Sequence, residues 1–501
     1  MPGGKERLDE TVGPRLWVLD RRSGPGKRES RPMAGDERTD FLWRQFLLHT
    51  KLFFTSEAQG LIQGTEIVFL PLQACLALKK PAIAIPNDLS ASLQPIDAYA
   101  VRFNDTHVTL WNRIPRPPRA DWHALPDDNS PVWYQNPEGT LIPAWNLFGN
   151  LVGLLTLGEE EENTTRDPHG RFLASMSPRC NAGLLEVPAF NEAMALLVAA
   201  CHGLNTKGVP SFGNAGLVEP PALILSHDLD VLRGNDFWTQ SVRLYRTVRP
   251  LLDGKPPAMV NLHWLLASEL HPLRYYCKEV ASMVNIEKEC GYTSSFYFIN
   301  GRGGRFGARY GSKMISEALR HIPEGWEIGI HYNYDTFRRE ERLRRQVQDL
   351  KRIVGRELVS GHAHYLRFDH RWSFDTVIQN GIAYDESLGY PDRIGYRCGV
   401  AGCFTPFNQN SKAGYPVMEF PLAVMDVVLA QQYPNNQAET VQRMLLHLSR
   451  IGGALTLLVH SGHVSNPEFP ESVGVYEKIL KAARRIGVRG MSASALLRAS
   501  V

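Results

Sequence analysis

Between Ala222 and His460 the chain repeats one pattern, a short and mainly apolar run followed by a longer stretch with apolar residues at helical spacing. The apolar runs are Ala222–Leu225, Ser295–Ile299, Glu327–Ile330 and Ala454–Val459. Within Phe337–Val354, Leu343, Val347, Leu350 and Val354 share one face and basic residues occupy the rest. Strands apolar on both sides must be covered on both faces, so alternation with helices predicts a parallel α/β sheet or barrel. Such folds carry their chemistry just beyond the carboxyl ends of the strands.

Applied strand by strand, that rule selects a small set of residues. Ala222–Leu225 runs into Ser226-His227-Asp228-Leu229-Asp230, Glu327–Ile330 into His331-Tyr332-Asn333-Tyr334-Asp335, and Ala454–Val459 into His460. Carboxylates at the end of a buried strand are costly without a cation. His331 and Asp335, four apart, would share a face if a helical turn begins there. Asp230, His331 and Asp335 then form an oxygen and nitrogen donor set suited to Zn2+, Mn2+, Co2+ or Fe2+. Asp228 and His460 remain for proton transfer.

The rest of the chain supplies bounds. Of 55 basic and 52 acidic residues, 8 and 5 fall in the first 35, leaving 47 of each, so there is no electrostatic case for nucleic acid or a polyanion. No run approaches the roughly 18 apolar residues of a membrane span; the longest is Met194–Cys201. Residues 1–36 read as a disordered leader without a secretory signal, with Met33 as an alternative start. Seven cysteines without a Cys-x-x-Cys pair read as reduced thiols of a cytoplasmic protein. Residues 37–210 mix strands (Glu66–Leu70, His107–Trp111), a Pro-rich connection (Arg113–Pro126) and helices (Ala144–Leu157, Asn191–His202), an α+β unit. The acidic run Glu159–Glu162 reads as a solvated loop and Asp167–Phe172 as a turn with local ion pairs. Gly203–Pro221 reads as the boundary before a second unit, residues 217–501.

Over residues 217–500 the chain resembles the polysaccharide deacetylase family, the NodB-homology or carbohydrate esterase family 4 type. Asp228-Leu229-Asp230 is similar to its Asp-x-Asp motif, His331–Asp335 to His-x3-His with Asp335 at the second His, and His362-Ala363-His364-Tyr365 stands at the Arg-x-Pro-Tyr position. Asp385 and Leu458-Val459-His460 correspond to the last two motifs. A divergent bacterial branch, with an extra N-terminal domain of unassigned role, is similar in Tyr384–Arg397, in Glu419-Phe420-Pro421-Leu422, and more weakly in Trp145–Phe148 and Asp167–Phe172.

The resemblance implies a distorted (β/α)7 barrel preceded by a smaller α+β domain, and a metal-dependent hydrolase removing acetyl groups from an acetylated amino sugar or glycan precursor. Asp230, His331 and Asp335 would bind the metal, most simply Zn2+, with Asp335 either a ligand or a weakness. Asp228 would be the base, His460 the general acid and the Tyr365 N–H an oxyanion donor. The family's arginine, which positions the base, is absent; His362, Arg367 or Arg397 takes that role, Arg397 being counted with the catalytic set. His362, His364 and Asp385 are read as substrate-binding, His364 behind the metal ligands. Tyr332, Tyr334, Tyr390 and Trp372 are open to either sugar stacking or core packing. An imide or ureido hydrolase, and a catalytically silent glycan-binding or scaffold protein, are the competing readings. Asp228→Asn should abolish turnover with metal still bound, whereas Asp230→Ala should lose both; metal analysis beside an activity assay decides.

Overall fold

A computed structural model describes residues 36–89, 94–103, 105–115, 121–126, 130–206, 218–230, 237–259, 272–301, 306–308, 310–464, 472 and 474–499. The expected leader through residue 35, including Met33, and most of the Gly203–Pro221 connection lie outside them.

The first strands are β1 (Ile67–Leu70), β2 (Ala82–Pro86), the hairpin β3 (Tyr99–Phe103) and β4 (Thr106–Leu110), then β5 (His123–Leu125), β6 (Trp133–Gln135) and β7 (Thr140–Pro143). Five of them make one mixed sheet in the order β1-β2-β7-β6-β5. The later strands are β8 (Ala222–Leu229), β9 (Ser295–Ile299), β10 (Glu327–Tyr332), β11 (Ser360–Ala363), β12 (Tyr384–Asp385), the small hairpin β13 (Phe407–Asn408) and β14 (Ala413–Gly414), β15 (Met418–Glu419), β16 (Val424–Met425), β17 (Ala454–Leu458) and β18 (Arg489–Met491). Apart from the antiparallel β13–β14 hairpin, they form a parallel sheet in the order β15-β12-β11-β10-β9-β8-β17-β16, with β18 on the first half of β8. Among the described residues no ladder joins β15 to β16, so the barrel stays open. This is the α/β class expected.

Every residue of β8, β9, β10, β11 and β17 is buried, the signature of strands covered on both faces. Register is held by close packing over glycine. Gly361 of β11 lies beside Ile330 of β10, and a Cβ there would stand 1.8 Å from the Tyr332 hydroxyl, which crosses it to reach Asp385.

The N-terminal part shares its core with the barrel. Helix Ala189–Thr206 has buried residues on all sides, as its nearly uninterrupted apolar sequence requires. Its Asn191 exchanges hydrogen bonds with both backbone groups of Ala401 and donates to the Gly452 carbonyl. The acidic run corrects the sequence reading. Gly158–Glu162 is a short helix, not a solvated loop, with Glu159 and Glu160 buried at 6% and 2% exposure. Glu159 pairs with Arg179 at 2.8 Å and Glu160 with Arg397 at 2.6 Å. Two glutamates that look like surface charge thus meet buried arginines, one 20 residues and the other 237 residues further along the chain. Arg179 also donates to the carbonyls of Tyr396 (3.0 Å) and Arg397 (2.6 Å), so it bridges the two parts. Cys75, Cys180, Cys201, Cys290, Cys398 and Cys403 are free thiols.

Removing one partner of a buried ion pair strands the other charge, at about 3–5 kcal/mol. Arg179→Ala should therefore lower unfolding free energy by about that amount, read as a lower denaturation midpoint; a shift within error would show that Glu159 relaxes into solvent.

Candidate metal and hydrolytic centre

The parallel ladder between β10 and β11 pairs His331 with His362, and their rings stack 5.3 Å apart, 13° from parallel. Asp228 is the penultimate residue of β8 nearby, and Asp230 directly follows the strand. His331 Nε2 lies 3.2 Å from Asp230 Oδ1 and 3.4 Å from Asp228 Oδ2. His362 Nε2 lies 3.3 Å from Asp228 Oδ2, and His364 Nε2 3.5 Å from Asp230 Oδ2.

The outer nitrogens decide what faces what. His331 Nδ1 lies 3.0 Å from the His362 carbonyl, and His362 Nδ1 lies 2.8 Å from the Glu386 carbonyl. A carbonyl only accepts, so both Nδ1 atoms carry hydrogen. Burial pushes both imidazoles below their usual range toward the neutral form, helped for His362 by the neighbouring His331. Each Nε2 therefore points a lone pair at a carboxylate oxygen. His331 Nε2, Asp228 Oδ1 and Asp230 Oδ1 are buried without a hydrogen-bond partner. Lone pairs of two imidazoles converging on two carboxylates suit a divalent cation, with the carbonyl bonds fixing ring orientation behind them. Asp228-His331-His362 and Asp230-His331-His364 are both compact enough to hold an ion.

The charges of the two acids diverge. Burial, then the neighbouring acids Asp230, Glu386 and Asp426, push Asp228 well above the usual carboxylate range, against the pull of His460. Burial also opposes the charge on Asp230, but the neighbouring His364 outweighs it and holds the group well below that range.

Asp335 is not brought into this group. β10 stays extended through Tyr332, and the helical turn begins only at Tyr334, with the Thr336 hydroxyl donating to the Asn333 carbonyl. His331 and Asp335 thus share no helical face, and Asp335 pairs with Arg342 instead. His364, expected behind the ligands, stands beside Asp230 where Asp335 was expected. Arg397 makes its bonds to Glu160 and to the Gly389 carbonyl and none to Asp228. Arg367 donates to the carbonyls of His169 and Tyr334, which leaves His362 as the neighbour of Asp228. Asp385, expected at the substrate, is wholly buried, accepting from the Tyr332 hydroxyl and the Ser387 N–H, and burial pushes it up to about 6. Tyr332 and Tyr390 pack in the core, Tyr334 is half-buried, and Trp372 is exposed. Tyr365 is exposed and left-handed, with φ 64° and ψ 13°.

His460 Nε2 lies 4.0 Å from Asp230 Oδ2. Sequence reasoning missed what holds it. Asp426, at the end of β16, takes His460 Nδ1 at 2.7 Å, its N–H at 2.9 Å, and His463 Nδ1 at 2.9 Å. Burial disfavours charge on both partners. Even so, Asp426, Asp230 and Asp228 push His460 up to about 10, while His460 and His463 hold Asp426 far below the carboxylate range. The strand-end rule applies to Val424-Met425-Asp426 too, but two residues are too short a run to register as a strand. A cleft of about 1080 Å3, lined among others by Glu186, Glu192, Arg443 and His447, contains none of these groups.

No family description and no curated relative matches the sequence. Among solved structures, 56% of the chain is similar to 91% of a putative polysaccharide deacetylase from Mycobacterium smegmatis, at 15% identity and a TM-score of 0.36. The same share is similar to 93% of a mutant peptidoglycan deacetylase PdaC from Bacillus subtilis (11%, TM-score 0.27) and to 66% of a CE4 family pseudoenzyme from Bacillus anthracis (12%, TM-score 0.28). At such identities the reading of the site rests on its own geometry.

His364→Ala should weaken Zn2+ binding by at least about tenfold, the scale of losing one supporting group, while Asp335→Ala should leave it intact. Titration with a chromophoric chelator reads both, and the reverse order would restore Asp335 as the ligand.

Proposed function

We propose that the protein is a metal-dependent hydrolase that removes the acetyl group of an acetylated amino sugar or related glycan precursor. The observation that carries this reading is the convergence of the His331 and His362 lone pairs on Asp228 and Asp230, with His460, held by Asp426, 4.0 Å from Asp230. Asp230, His331 and His364 are the residues that would hold the ion, and their oxygen and nitrogen donors suit Zn2+ first. A bound divalent cation supplies Lewis acidity toward a carbonyl and lowers the pKa of water.

The chain's own residues account for the proton movements. Asp228, buried and flanked by His362, is the base that accepts the proton of the attacking water. The negative charge that forms on the carbonyl oxygen is met by the Tyr365 N–H, a backbone donor that costs no reorganisation during the reaction. His460 gives its Nε2 proton to the departing amine, and Asp426 fixes the opposite nitrogen, so that a single edge of the ring faces the reaction. Acid and base are each set by their own environment.

The direct test is release of acetate from chitooligosaccharides and from an aryl acetate by protein loaded with Zn2+; absence of turnover on both would overturn the reading. The pH profile is a second check. His460 keeps its proton up to about 10, so activity should fall as pH rises through that value. The stabilisation this pair gives the fold is full below about 6.5 and is lost over the same rise. Asp426→Asn removes the main raising influence, so the alkaline limb should move toward about 6.5, the ordinary imidazole value. An unmoved limb would exclude His460 as the acid.

A further inference from the structure

Tyr365 and Leu366 both have positive φ, 64° and 51°. Two successive non-glycine residues in the left-handed region are costly, and such a turn persists only where its surroundings impose it. The turn carries two functional groups of the reading above, the His364 imidazole and the Tyr365 N–H.

Part of what imposes it comes from nearly 200 residues earlier in the chain. Arg171 Nη1 donates to the Tyr365 carbonyl at 3.1 Å. The rest of its guanidinium is tied to Asp167, with Nε at 2.9 Å and Nη2 at 2.8 Å from Oδ2. Asp167 Oδ1 closes the same turn by accepting the N–H groups of His169 and Arg171. The barrel answers with its own arginine, since Arg367 Nε donates to the His169 carbonyl at 2.9 Å and Nη1 to the Tyr334 carbonyl at 2.8 Å. The His169 ring fills the space between. Its Nδ1 lies 2.8 Å from the Tyr334 hydroxyl, and its centroid is 5.5 Å from Tyr365 and 5.9 Å from Phe306. The Tyr365 ring in turn lies 4.8 Å from His364. Each part of the chain thus offers one arginine to a backbone carbonyl of the other, on either side of the strained turn.

We infer that the Asp167–Arg171 turn is a positioning element of the hydrolytic centre: Arg171 holds the Tyr365 backbone so that its N–H and the preceding His364 stay aimed at the reacting group. The N-terminal part is then required for the chemical step and not only for stability. This rests on the hydrolase reading above.

The test compares Arg171→Ala and Arg171→Lys with the full-length parent at saturating Zn2+, using 4-nitrophenyl acetate and chitotriose. A misaligned donor acts on the transition state, so kcat should fall by about 10- to 100-fold, with KM nearly unchanged on both probes. Arg171→Lys, which keeps the charge but loses the fork to Asp167, should be intermediate. The Arg171 side chain is 18% exposed, so added guanidinium should restore part of the activity of Arg171→Ala. Arg443→Ala breaks another crossing ion pair, with Glu186, and should leave kcat unchanged. In metal-free protein, hydrogen exchange of residues 360–368 should be faster in Arg171→Ala. Unchanged kcat and exchange in the Arg171 variants overturn the inference. So does a loss of kcat that guanidinium does not relieve, or one that Arg443→Ala reproduces. A parent that hydrolyses neither probe overturns the hydrolase reading instead, while the exchange comparison still decides whether Arg171 holds the turn.

Discussion

The structure depends on a charge problem at the carboxyl edge of one parallel sheet. Asp228 and Asp230 end up beside imidazoles that have already spent their N–H groups on backbone carbonyls. The neutral His331 and His362 rings bring no charge to these acids, and Asp228 Oδ1 and Asp230 Oδ1 are buried without a hydrogen-bond partner. An arrangement that would be unfavourable in an inert protein is a ready cradle for a cation. The surrounding polar network is consistent with that purpose. Glu386 accepts from the Tyr297 hydroxyl at 2.7 Å and from the Ser226 hydroxyl, and burial pushes it up to about 8, so it adds hydrogen bonding beneath the site without a third full negative charge.

The opposite solution appears where the N-terminal part meets the barrel. There, buried glutamates find buried arginines, Glu159 with Arg179 and Glu160 with Arg397, and the guanidinium protons left over are used on barrel carbonyls. Bidentate arginine contacts of this kind tolerate little displacement, so they fix orientation more than they add net stability. One class of buried acid is satisfied within the chain and the other is left facing lone pairs, and this contrast separates scaffold from site.

Much of this was legible in the sequence, for identifiable reasons. Apolar strands ending in Asp228, His331 and His460 announced the site edge, because burial on both faces removes the ambiguity of strand assignment. Asp335 misled because spacing of four implies a shared face only inside a helix, and β10 continues extended past His331. Arg397 and Glu160 were unreadable as partners, since nothing local distinguishes a buried charge from a solvated one when its counterion lies more than 200 residues away. Asp426 follows a strand of two residues, shorter than any periodic signal, although its chemistry obeys the same rule as the others.

Helix Ala189–Thr206 carries a consequence for how such a chain can change. It is buried on every side, and Asn191 completes hydrogen bonds of barrel backbone at Ala401 and Gly452. A barrel separated from residues 37–206 would expose the apolar surface under that helix and leave those carbonyls to water. The two parts, distinct along the sequence, are therefore not interchangeable modules. Recombination that swaps one N-terminal part for another must carry a matching helix surface, so the pair is constrained to evolve as a single unit.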